Sequence, residues 1–89
     1  MIKILMEKIK RIQIEIDKFR INTAKPDDIK RYFNNREVEL EEVKINRIDD
    51  DYGSVIFIAK KKYLEKIKFI LEDLKLKGLD QTEPKILEV

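Results

Sequence analysis

Apolar residues along the chain change their period several times, and each change marks an element. Ile2, Leu5, Ile9, Ile12, Ile16 and Phe19 recur at alternating spacings of three and four, as on one face of a helix, whereas Ile12, Ile14 and Ile16 alternate as in a strand. The β-branched run followed by Phe19 and Ile21 favours a helix ending near Lys10 and a strand from about Arg11 to Asn22. Passing from the Ile12, Ile14, Ile16 parity to that of Phe19 and Ile21 takes one extra residue, which predicts a β-bulge near Asp17 or Lys18.

Pro26, followed by Asp27 and Asp28, has the form of a helix start, with proline in the first turn and acids facing the positive end of the helix dipole. Ile29, Tyr32 and Phe33 form a single apolar stripe, and Asn34 and Asn35 offer a left-handed exit. Val38 and Leu40 share one parity and Val43 and Ile45 the other, so a second irregularity is predicted near Glu41 and Glu42. Asp49 to Gly53 makes a polar connection into the apolar run Val55 to Ala59, a hairpin signal. From Lys60 to Lys77 the set Tyr63, Leu64, Ile67, Ile70, Leu71 and Leu74 keeps helical spacing, and Gly78 with Leu79 suits a Schellman end. Ile86, Leu87 and Val89 supply a last edge strand after Pro84.

These elements form one α+β domain over residues 1–89: an N-terminal helix over residues 1–10, then strand, helix, strand, strand, helix, strand over residues 11–89. That order is the split arrangement, two helices on one face of a four-stranded antiparallel sheet. Because both parities of Val55 to Ile58 are apolar, the opposite sheet face must also be covered. The stripe of Ile2, Leu5, Met6 and Ile9 covers it from within the chain, or a second copy or another protein covers it from outside. The candidate protein interface is therefore Ile2, Leu5, Met6, Ile9, Val55 and Phe57.

Composition removes most chemistries. The 89 residues suit one modest core. Charged and apolar residues each make up 43%, which describes a folded domain with a densely charged surface. With no Cys there are no disulfides, thiolate metal sites or cysteine nucleophiles, and the expected compartment is cytoplasmic. With no His the usual general base near neutral pH and the commonest transition-metal ligand are missing. Gly53 and Gly78 stand alone, so no glycine-rich loop can wrap a phosphate. The expectation is a non-enzyme with no catalytic residues, cofactor or metal site. No apolar run approaches the roughly 18 residues of a membrane span, and Met1 leads into mixed Lys, Glu and Ile rather than a secretory signal. The bias toward Ile, Lys and Glu matches the trend of heat-adapted proteins, and equally that of an AT-rich genome.

Gly53, Ser54, Val55, Ile56, Phe57, Ile58 and Ala59, leading into a long helix within this element order, resemble the RNA-recognition motif of the ferredoxin-like group of folds. The resemblance covers the chain from about Lys18 onward. It implies RNA held on the open sheet face by aromatic residues of the first and third strands. The corresponding stacking positions here are Arg20, Gly53 and Val55, with Phe57 the aromatic residue nearby.

Charge distribution adds a candidate nucleic-acid surface. Residues 1–20 carry six basic and three acidic side chains and residues 60–77 seven and three, against six and nine for residues 21–59. Lys60, Lys61 and Lys62 open the second helix, where positive charge opposes the helix dipole. They are either solvated surface charges or a phosphate-holding cluster that joins Arg20, Lys44 and Phe57 in a surface for single-stranded RNA. Asp49, Asp50 and Asp51 lack calcium-loop spacing and fit a hairpin turn. The leading expectation is a binding module acting through its sheet face on itself or another protein. RNA binding is the alternative, and a small-ligand-sensing regulatory domain a third reading.

Overall fold

The computed structural model describes residues 10–89. The helix expected over residues 1–10, and with it Ile2, Leu5, Met6 and Ile9, lies outside the described residues apart from Lys10, which is in no regular element. The chain then runs β1 (Arg11–Arg20), α1 (Pro26–Asn34), β2 (Leu40–Arg47), β3 (Tyr52–Lys60), α2 (Leu64–Leu76) and β4 (Lys85–Glu88). It is an α+β fold with a four-stranded antiparallel sheet in the order β2-β3-β1-β4 and two helices, compatible with a ferredoxin-like arrangement.

Both predicted irregularities are present. Pairing of β1 with β3 shifts between Ile16 and Phe19, and pairing of β2 with β3 shifts between Leu40 and Glu42. Each shift returns an apolar residue to the buried face that strict alternation would have turned outward: Phe19 in β1 and Val43 in β2 are buried. Ile12, Ile14, Ile16, Leu40, Val55, Phe57 and Ala59 share one core with Ile29 and Phe33 of α1 and Ile67, Ile70, Leu71 and Leu74 of α2.

The helix ends follow capping chemistry. The Asp28 carboxylate accepts the Lys25 N–H at 2.9 Å before α1, with Pro26 in the first turn. The exit of α1 differs from expectation: Asn35 stays right-handed, and the left-handed residue is Glu37 at φ 65°. The Val38 N–H reaches Phe33 O at 3.0 Å and the Glu37 N–H reaches Asn34 O at 2.9 Å, a Schellman closure that places Val38 in the core. Burial of Val38, rather than the preference of asparagine for the left-handed region, sets where the helix stops. At the other end α2 closes as predicted: Gly78 has φ 95°, and the Leu79 N–H reaches Leu74 O at 2.9 Å.

The second helix starts later than its apolar spacing suggests. Lys60 ends β3, Lys61–Tyr63 form a single 3₁₀ turn, and α2 begins at Leu64. Lys61 and Lys62 therefore sit outside the first α-helical turn, which relieves the conflict between three lysines and the helix dipole.

Candidate functional site

The register fixes which side chains leave the helix-covered face. Val55, Phe57 and Ala59 are 0% exposed and point toward the helices. Their opposite-parity neighbours Ile56 and Ile58 are half-buried on the other face. Two rows cross that face: Glu42, Ile58, Gln13 and Leu87, and beside it Lys44, Ile56, Glu15 and Lys85. Among the described residues no helix lies over it. The two isoleucines and Leu87 make an apolar strip bordered by charges. Arg11 reaches Glu41 across the end of β3, Lys44 lies 3.7 Å from Glu42, and Lys85 lies 3.0 Å from Asp17.

Two interface residues expected from sequence are thereby corrected. Val55 and Phe57 cannot meet a partner because they fill the core beneath the helices; the face opposite is carried by Ile56 and Ile58. The assignment turns on one residue of parity, and the bulge between Leu40 and Glu42 makes that parity hard to read from β2 alone.

The expected RNA surface is dispersed. Phe57 is sealed in the core, Lys44 stands midway along the outer strand β2 opposite Ile56, and Arg20 lies at the far end of β1 opposite Tyr52. Lys60 pairs with Arg11 at the other end of that strand. Lys61 is bound to Glu88, whose carboxyl that contact holds below its ordinary range, and Lys62 lies 5.2 Å from the Tyr63 ring centre. Of the nucleic-acid residues expected from sequence, Arg20 and the three lysines occupy opposite ends of the sheet.

Tyr52, within the connection from Asp49 to Gly53, organises the Arg20 end. Its hydroxyl donates to Asp80 at 2.9 Å and accepts from the Arg20 guanidinium at 3.3 Å, while Lys18 lies 4.7 Å from the ring centre. Tyr52 holds the Arg20 guanidinium above its ordinary range, chiefly through that hydrogen bond. Asp51, 3.8 Å away, and Asp80 also favour the charge of Arg20. The signal that could have located this cluster is the hairpin itself, which pairs Tyr52 with Arg20 once the bulge in β1 is counted.

The Asp49–Asp51 run forms a turn. Asp49 Oδ1 accepts the N–H of Asp51 at 2.9 Å and of Tyr52 at 2.8 Å, and these bonds hold its carboxyl below the usual range. Among the described residues no group of three His, Cys, Asp or Glu side chains is placed to hold a metal ion, and no helix is long and apolar enough to cross a membrane.

A cavity of about 250 Å³ opens between the end of β1 and the two helices, with Phe19, Ile29, Tyr32, Leu74 and Leu79 in its wall. Asp28 stands at its rim with both carboxylate oxygens engaged, by the Lys25 N–H and by Arg31. No family model matches this sequence, and no curated protein or solved structure matches it significantly.

Proposed function

We propose that this chain is a non-enzymatic interaction module of ferredoxin-like architecture whose open sheet face takes a protein partner. Read from its other edge the strand order is β4-β1-β3-β2, the arrangement expected of the split β-α-β-β-α-β unit. The observation that carries the function is the placement of Ile56 and Ile58 on the face away from the helices, with exposed Leu87 beside them and charges around them. An apolar centre with a charged rim is the anatomy of a protein-binding patch. The missing His and Cys support a role without chemistry at this surface.

RNA is the second reading, and Tyr52 between Lys18 and Arg20 is the feature that favours it. Stacking a base there requires displacing cations already paired with the ring, and acids of the same corner repel phosphate. A regulatory metabolite is favoured least. The cavity beneath β1 is below the usual size range of ligand pockets and has an almost wholly apolar wall.

Photo-crosslinking tests the assignment. A photoreactive residue at position 58 should give discrete protein adducts in an extract of the source cells, lost when Ile56→Ser is added. The same residue at Phe69, exposed on the outer face of α2, should not. Adducts made of RNA would replace this reading with the second one. Identical protein adducts from both positions would overturn it.

A further inference from the structure

The two outer strands of the sheet are unequal. The outer strand β2 is interrupted by the bulge at Leu40–Glu42 and carries Glu41, Glu42, Lys44 and Arg47, features that discourage strand addition. The other, β4, pairs with β1 in unbroken register, contains no proline, and has all four residues exposed. Among the described residues no strand pairs with its outer edge.

The hydrogen-bond phase of that edge follows from its neighbours. The Val89 N–H donates to Arg11 O at 3.1 Å, so residues 85, 87 and 89 direct their backbone groups inward to β1. The Lys61 N–H donates to Lys10 O at 2.8 Å, which puts the bonds of β1 toward β3 on the alternate residues, as this phase requires. Ile86 and Glu88 consequently present their N–H and C=O groups outward.

We propose that a second copy of this chain adds antiparallel at the free edge of β4, about a two-fold axis normal to the sheet, joining two four-stranded sheets into one. Such an axis keeps the faces of the sheet in line, so open-face residues must oppose open-face residues. With Ile86 opposite Glu88 of the second copy and Glu88 opposite its Ile86, all outward groups of these residues are paired. Setting Ile86 opposite itself brings Pro84, which has no N–H, opposite Glu88 and wastes a bond.

In the favoured register Leu87 meets its own counterpart across the axis as a close pair on the open face. Leu87 is 52% exposed in the single chain and lies in the row of Ile58, so pairing joins the apolar strips of the two copies. Leu87 belongs to both the open-face strip and the strand edge, whereas Ile86 belongs to the edge alone, so Ile86→Pro separates loss of the dimer from loss of the open-face patch on which the proposed function rests.

Sedimentation equilibrium of the full chain should show a dimer. Ile86→Pro removes an outward N–H, and Leu87→Lys places like charges across the axis; each should weaken association by about tenfold or more with the far-UV circular dichroism unchanged. Leu87→Lys and Leu87→Glu, each impaired alone, should form a one-to-one heterodimer when mixed. A parent chain that stays monomeric up to about 1 mM overturns the proposal, as does a dimer indifferent to these substitutions or a charge-swapped mixture that fails to pair.

Discussion

Phe33 and Phe57 meet with ring centroids 5.3 Å apart and planes inclined at 53°. One ring comes from α1 and the other from β3, so this contact decides which parity of an all-apolar strand faces the helices. Phe57→Ala opens a void in a residue with no exposed surface and should cost about 3–5 kcal/mol in urea denaturation. Ile58→Ala, one residue along on the half-buried face, should cost about 1 kcal/mol. Equal losses at both positions would contradict the assignment of faces on which the interaction patch rests.

A side chain at position 53 has almost no room. A Cβ placed there would lie 3.0 Å from Ile21 Cδ1 and 3.2 Å from the backbone oxygen of Asn46. The isoleucine tip can move, but Asn46 O belongs to the paired strand β2 and is held by the ladder. Gly53→Ala should therefore destabilise by about 1–2 kcal/mol despite the general cost of glycine in a strand, with a lowered denaturation midpoint as the measurement.

This glycine also shows how far the sequence could be read. Between Asp51 and Val55 it has the look of a turn residue, and the hairpin was located from it, yet it lies inside β3 and is required by the close approach of Ile21 and Asn46. Features set by local pattern were legible: the bulge near Asp17, the irregularity beside Glu41, Pro26 opening α1 and Gly78 closing α2. Features set by packing across the sheet were not. Phe57 could be assigned to either face until β3 was placed against α1, and the pairing of Tyr52 with Arg20 depends on counting a bulge in the opposite strand. The expected RNA residues are dispersed for the same reason, since nearness in composition and charge says nothing about which end of a strand a residue occupies.

Glu37 carries strain that glycine would not. It holds φ at 65° so that the chain can turn out of α1 and bury Val38, and its side chain gains only an exposed contact with Lys66 at 3.6 Å. Left-handed backbone costs about 1–2 kcal/mol for a residue with a Cβ, against about 0.5–1 kcal/mol for the extra freedom glycine loses on folding. Glu37→Gly should raise stability by about 0.5–1 kcal/mol, read as a higher thermal midpoint. Glu37→Val, β-branched at the same φ, should lower it.

Acid should destabilise the fold through carboxylates that accept bonds only in the folded chain. The N–H groups of Asp51 and Tyr52 hold the Asp49 carboxyl below its ordinary value of 3.8, the Lys25 N–H does the same for Asp28, and Lys61 lowers Glu88 from 4.5. A lowered folded-state value means that the unfolded chain takes up protons first as the pH falls. The stabilisation is therefore complete above the ordinary carboxyl range and is lost as the pH drops through the lowered values, giving a thermal midpoint that is level near neutrality and declines below about pH 4.5. Asp49→Asn keeps an acceptor oxygen for Asp51 and Tyr52 but has no charge to titrate. It should be less stable than the parent at neutral pH and decline less steeply in acid, so that the two curves draw together as the pH falls below the ordinary carboxyl range. Parallel curves would show that Asp49 does not couple protonation to the hairpin between β2 and β3.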